Sequence, residues 1–249
     1  MSKVHIDSEM IGHVPVLIVS PVGREKENLP LIVFYHGWQI NKQLVLTQGR
    51  KLALAGFRAV LPDAQNHGAR FQPSSNIPSM TFLNSIHTNL FEFGYIVNYV
   101  QNNFGEPPFI GVGGLSMGGM TTAALLTHHP EIDAAAILMG TTKLTKYRDT
   151  IFHHASQAGY WMPEDFFDLT NWMPKYDLSE QPHLVGDRPL FIWHGRYDEK
   201  VPFEDMETFV GDNPQLNLEV SFQDRRHLVE VDTMNDVTDF FTKHYNNKI

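Results

Sequence analysis

At 249 residues, with 42% apolar and 19% charged positions, the chain has the composition of an ordinary globular protein with a sizeable core, and α/β folds of this length commonly form one unit. Acidic residues number 28 against 19 basic ones, giving a formal net charge of −9 with no basic block. A surface built to track nucleic-acid phosphates is therefore excluded. Cysteine is absent, which removes disulfides, thiolate catalysis and Cys-based metal sites and fits a reducing compartment; a cytoplasmic location is expected. The polar start Met1-Ser2-Lys3-Val4-His5-Ile6-Asp7 lacks the apolar stretch of a secretory signal, so export by that route is not expected. Apolar runs such as Leu31 to Tyr35 and Ala134 to Met139 are strand-sized, and no membrane span is expected.

In chain order, Val4 to Met10 and His13 to Ser20, joined at Ile11-Gly12, predict an antiparallel hairpin at a sheet edge. The apolar run Pro30 to Tyr35, a turn at Gly37 and a helical pattern from about Lys42 to Ala55, closed by Gly56, make one βα unit. Phe57 to Leu61 reads as a short strand ended by Pro62-Asp63, and the loop that follows, to about Ser79, contains Asn66-His67-Gly68 and Pro73. Phe82, Ile86, Leu90, Phe93, Val97 and Val100 recur at three- and four-residue spacing, predicting one long helix over about Thr81 to Asn103. Phe109 to Gly113 is the next buried strand, Met117 to His128 a helix with small residues for close packing, and Ala134 to Met139 a further strand. From Gly140 to Asp187 aromatics abound without a strand pattern, which predicts a small helical cap inserted at about 141–187 of a single domain. Pro189 to Trp193 resumes the sheet, Phe203 to Val210 reads as a helix, Leu216 to Phe222 as the last strand and Leu228 to His244 as the closing helix.

The chemistry concentrates where strands end. Gly114-Leu115-Ser116-Met117-Gly118 follows a buried strand and opens a helix, the setting in which a sharp turn exposes a serine hydroxyl above a sheet. Ser116 is the candidate nucleophile. A helix starting just after it aims free N–H groups and a positive dipole end at the reaction centre, so Met117 N–H is the first candidate oxyanion donor. Tyr35-His36-Gly37-Trp38 ends an earlier strand, and Gly37 lets the chain turn close to a substrate; Trp38 N–H is the second. Serine needs a base, and the base an orienting group. His227, between the last strand and the last helix, is the candidate base. Of its 12 competitors, His128 and His129 fit a helix end and His153-His154 the cap, while His67 is the strongest rival. Asp198, just past a strand in His194-Gly195-Arg196-Tyr197-Asp198, is the candidate orienting carboxylate, with Glu199 and Asp205 as lesser substitutes. Trp161, Phe166 and Trp172, with the other aromatics of the cap, either line an apolar pocket or dock the cap onto the core. No H-E-x-x-H is present, and Gly111-Val112-Gly113-Gly114-Leu115-Ser116 has serine where the dinucleotide fingerprint needs its third Gly or Ala, so no metal or cofactor is implied.

Together, Tyr35-His36-Gly37-Trp38, the Gly114 to Gly119 motif, His194-Gly195 with Asp198 and Val201-Pro202, and His227 resemble the small bacterial carboxylesterases of the prolyl-oligopeptidase-like and dienelactone-hydrolase-like branch of the α/β-hydrolase superfamily. The likeness spans nearly the whole chain. It implies an α/β fold with a mainly parallel eight-stranded sheet and helices on both faces, and a serine esterase acting on short to medium acyl esters of small molecules. Leu61-Pro62-Asp63 with His67-Gly68 also matches the branch, which implies that His67 helps shape the site entrance rather than acting as base; His36 and His67 are expected to line the substrate pocket. Trp38 departs from relatives that carry Phe or another residue there, which bears on pocket width. Peptidase or amidase activity, and a ligand-binding protein with little turnover, are the alternatives.

Overall fold

A computed structural model describes residues 3–72 and 77–248; positions 73–76 of the long loop, including the predicted Pro73, lie outside the described residues. The hairpin forms from β1 (Val4–Ile11) and β2 (Val14–Pro21), turning at Gly12-His13. Six further strands follow: β3 (Leu31–Tyr35), β4 (Arg58–Pro62), β5 (Ile110–Leu115), β6 (Ala134–Leu138), β7 (Leu190–Gly195) and β8 (Leu218–Gln223). They form one eight-stranded sheet in the order β1-β2-β4-β3-β5-β6-β7-β8. Every pairing from β4 onward is parallel, while β1 and β2 pair antiparallel and β2 meets β4 antiparallel.

Helices cover both faces, as the all-buried patterns of the central strands require. On one face α1 (Leu46–Leu54) and α7 (Val231–Lys248) pack Leu52, Ala53, Val237 and Phe241 against Ile32, Phe34 and Ala136. On the other, α2 (Pro78–Phe104), α3 (Met117–Leu125) and α6 (Phe203–Asp212) pack against Leu31, Val33, Val112 and Ile137. The long predicted helix is α2, with Ile86, Phe93, Ile96 and Val100 fully buried on its inner stripe. It begins earlier than the apolar pattern, at Pro78, because proline has no N–H to lose in a first turn. The stretch predicted as one helix from Lys42 splits into a 3-10 turn at Lys42–Val45 and α1, since Asn41 caps the turn by accepting from Gln43 N–H. The closing helix starts at Val231, three residues later than predicted.

Between β6 and β7 the chain makes a helical excursion with α4 (Leu144–Gln157), α5 (Phe166–Leu169) and short 3-10 turns at Met173–Tyr176 and Pro182–Val185. After β3 the chain moves to β4 on one side and then to β5 on the other. The carboxyl ends of β3 and β5 therefore flank a crevice, the position at which open α/β sheets bind ligands. Among the described residues no helix is long and apolar enough to cross a membrane.

Candidate active site

Ser116 sits between the last residue of β5 and the first of α3 with φ 52° and ψ −112°. A non-glycine residue held there costs on the order of 1–3 kcal/mol and persists only when its surroundings fix it. Here Ser116 N–H donates to Leu138 O on β6 at 2.8 Å, and Ser116 O accepts from Met120 N–H at 2.9 Å. The flanking glycines are steric necessities: a Cβ on Gly114 would lie 2.4 Å from the carbonyl carbon of Gly118, and one on Gly118 would lie 2.4 Å from Tyr35 O. The strand, the turn and the helix thus close onto β3 only if both positions lack side chains.

Parallel register brings the other groups to the same level. Tyr35 is paired with Gly114, so the next residues of the β3 loop run beside Ser116; a Cβ on Gly37 would be 3.5 Å from Ser116 Cβ. Gly195 is paired with Gln223, and the loops that leave β7 and β8 are stitched by Arg196 N–H to Gln223 O at 2.8 Å and Tyr197 N–H to Arg225 O at 2.9 Å. Those loops carry Asp198 and His227 together. Ser116 Oγ–H donates to His227 Nε2 at 2.9 Å, and His227 Nδ1–H donates to Asp198 Oδ2 at 2.7 Å. The Asp198 side chain is fully buried and that of His227 nearly so.

Burial alone would raise the Asp198 carboxyl, but donors surround it. Oδ1 accepts from Lys200 and Val201 N–H, both at 2.9 Å, and Oδ2 lies 3.2 Å from His194 Nε2 in addition to His227. The hydrogen bonds from His194, His227, Val201 and Lys200 outweigh desolvation and hold Asp198 well below the usual carboxylate range. It therefore remains an anion beside His227. In the sequence His194 stands out only as part of the His194-Gly195 motif. Its place in β7, where every residue is buried, was the available signal, since a buried imidazole needs a partner and Asp198 is the near carboxylate.

His36 and His67 lie behind the crevice rather than in it. His36 is buried, donates from Nδ1 to Gly37 O at 2.8 Å and accepts from Ala64 N–H at Nε2, 3.0 Å away, so it ties the β3 loop to the end of β4. Burial lowers it to about 4, which keeps the ring neutral and Nε2 free to accept. His67 packs on the edge of Trp38 with ring centroids 4.8 Å apart, and burial lowers it too. Beneath them Asp63 accepts from Lys42 N–H at 2.9 Å and Ala69 N–H at 3.0 Å and pairs with the Lys42 ammonium, fixing the loops that follow β3 and β4.

A cavity of about 520 Å³ opens beside Ser116 and His227, lined among others by Gly37, Trp38, Phe82, Met139, Tyr147 and Met234. Trp38 N–H and Met117 N–H have no protein acceptor among the described residues, the one in a turn and the other at the first position of α3. Of the aromatics expected in a pocket, none lines this cavity. Phe166 is buried against Phe152, Trp172 stacks on His87 of α2 at 4.3 Å, and Trp161 is 74% exposed. Trp172 thus ties the segment between β6 and β7 to α2, while the contact of Phe166 with Phe152 of α4 lies within that segment. Tyr147 and Ser79, which do line the cavity, were not foreseen, because their helical positions read equally as packing.

Residues 30–187, from the start of β3 to just before β7, match the family model described as alpha/beta hydrolase fold. The chain belongs to the α/β hydrolase fold family. Within this α/β hydrolase, β7, β8 and the loops bearing Asp198 and His227 lie beyond the matched segment. Esterase YjfP of Escherichia coli (strain K12) is 28% identical over 203 residues, 81% of this chain and 82% of YjfP. YitV of Bacillus subtilis (strain 168) is 30% identical over 212 residues, 83% of each chain. Among solved structures, TT1662 from Thermus thermophilus shares the fold with a TM-score of 0.74 at 18% identity, covering 97% of this chain and 98% of its own.

Proposed function

We propose that this α/β hydrolase is a serine esterase in which Ser116 is the nucleophile, His227 the general base and acid, and Asp198 the orienting anion. The observation that carries the reading is the unbroken line from Ser116 Oγ through His227 to Asp198, at 2.9 and 2.7 Å. Ser116 Oγ attacks the ester carbonyl carbon as its proton passes to His227 Nε2, and the imidazolium formed is balanced by Asp198. The carbonyl oxygen becomes an oxyanion, for which the free N–H groups of Met117 and Trp38 are the donors. Collapse breaks the bond to the alcohol oxygen, which leaves with the proton from Nε2. Water then repeats the cycle on the acyl-enzyme, His227 taking its proton, and releases the acid and Ser116.

The esterase name of YjfP supports the same reaction class. A cavity of about 520 Å³ suits small-molecule esters with short to medium acyl groups. The test is a fluorophosphonate applied to the wild type and to Ser116→Ala, with the adduct located by peptide mass spectrometry, beside turnover of 4-nitrophenyl esters and a peptide amide. Labelling at Ser116 alone, ester turnover and its loss in the variant are expected. An adduct on another residue, or ester turnover undiminished in Ser116→Ala, would sink the assignment.

A further inference from the structure

The cavity beside Ser116 is lined by two hydroxyl-bearing residues that the proposed reaction does not use. Tyr147, on α4, lines it and packs against Phe82 with ring centroids 5.9 Å apart. Phe82 in turn meets Trp38 at 5.3 Å, so the three rings form one wall from the β3 loop to α4. Ser79 lies one helical turn before Phe82 on α2 and lines the same cavity. Its Oγ is enclosed, without a hydrogen-bond partner among the described residues, whereas the Tyr147 hydroxyl is not sealed in this way and has no partner among the described residues either. Burial, with the Asp198 charge adding to it, raises the Tyr147 phenol to about 12, so across the neutral range it is a donor and not a phenolate.

Much of the remaining lining is hydrocarbon: Ile40, Leu44, Ile151, Leu228, Val229 and Met234. A plain alkyl group filling this space would strip water from the Tyr147 hydroxyl and give nothing back, whereas a substrate oxygen would restore the lost hydrogen bond. We infer that Tyr147 forms a subsite for a substrate oxygen, and that the preferred esters carry an ether, hydroxyl or carbonyl oxygen near the scissile group. The inference rests on Ser116 being the nucleophile, because it takes the Ser116 cavity as the substrate site.

Tyr147→Phe removes one oxygen and keeps the ring. On 4-nitrophenyl methoxyacetate and 4-nitrophenyl butanoate, which have equal chain length, the variant is expected to lose about tenfold more kcat/KM on the methoxyacetate. Each substrate is compared with itself in the wild type, so intrinsic reactivity drops out. A second arm compares 2-methoxyethyl and butyl butanoates, which places the oxygen in the alcohol. A differential loss in either arm supports the subsite and says which half of the ester it reads. Equal losses in both arms overturn it. Ser79→Ala, whose hydroxyl is sealed from the cavity, is expected to leave the ratio within each pair unchanged. Fluorophosphonate labelling of each variant separates the two readings: absence of labelling at Ser116 in the wild type defeats the nucleophile, while normal labelling with equal losses defeats only the subsite.

Discussion

Asp198 shows how much of the site depends on one buried carboxylate. Desolvation opposes its charge, and four donors reverse that, so the residue reaches neutral pH as an anion already oriented toward His227 Nδ1. An amide in its place would offer His227 either a weaker acceptor or an N–H, and the second choice leaves the imidazole with its proton on the wrong nitrogen. In the proposed orienting role of Asp198 the loss falls on proton transfer and not on substrate binding, so Asp198→Asn is expected to lower kcat by about 10³–10⁴-fold with little change in KM. Steady-state kinetics on one 4-nitrophenyl ester check this. A loss confined to KM would assign Asp198 to substrate binding instead.

The turn from β5 through Ser116 into α3 is held by backbone contacts that tolerate no side chain at Gly118. A methyl there would press on the carbonyl groups of Tyr35 and His36, which cannot rotate away as a side chain would. Gly118→Ala is expected to destabilise by about 1–3 kcal/mol as α3 is pushed off β3, and to cost ester turnover at least about tenfold by moving Ser116 from His227. Gly94, on the exposed side of α2 with nothing within 4 Å of a built Cβ, makes the opposite case. Gly94→Ala is expected to raise stability by about 0.5–1 kcal/mol through helix propensity and unfolded-state entropy, with turnover intact. Urea unfolding of the two variants side by side tests both; a neutral Gly118→Ala would mean that the helix can shift without cost.

At this scale the sequence was most legible where backbone geometry dictates residue type. The strand, the tight turn and the helix around Ser116 announce themselves through small residues and periodicity, and Asp198 and His227 through their position after strands. The aromatics of 141–187 were not legible, because Trp172 against His87 and Phe166 against Phe152 obey the same rule, burial of rings, as a substrate pocket would. Which of two apolar surfaces a ring covers depends on tertiary placement, and no periodicity encodes that. His194 and Tyr147 escaped for a related reason: each reads as packing until the partner across the chain, Asp198 or the cavity, is in view.

Across the whole molecule, His36, His67, His87 and His128 are all shifted downward, burial being the leading cause in each. A histidine whose folded value lies below its unfolded one binds its proton more readily when unfolded. Its contribution is complete above the unfolded value, near 6.5, and is lost as pH falls toward the folded one. For His36 the window runs from 6.5 down to about 4, and the cause is visible: protonation would set an N–H of the ring against the Ala64 N–H that Nε2 now accepts. Linkage then gives a loss of about 2 kcal/mol from His36 alone between pH 7.5 and pH 5. His36→Gln is expected to be less stable than the wild type at pH 7.5 yet to lose about 2 kcal/mol less on acidification, so the two stability curves converge. Urea titrations at both pH values measure that difference directly. Parallel curves would show that His36 takes up a proton in the folded protein as easily as in the unfolded chain, and that the tie between Gly37 and Ala64 survives protonation.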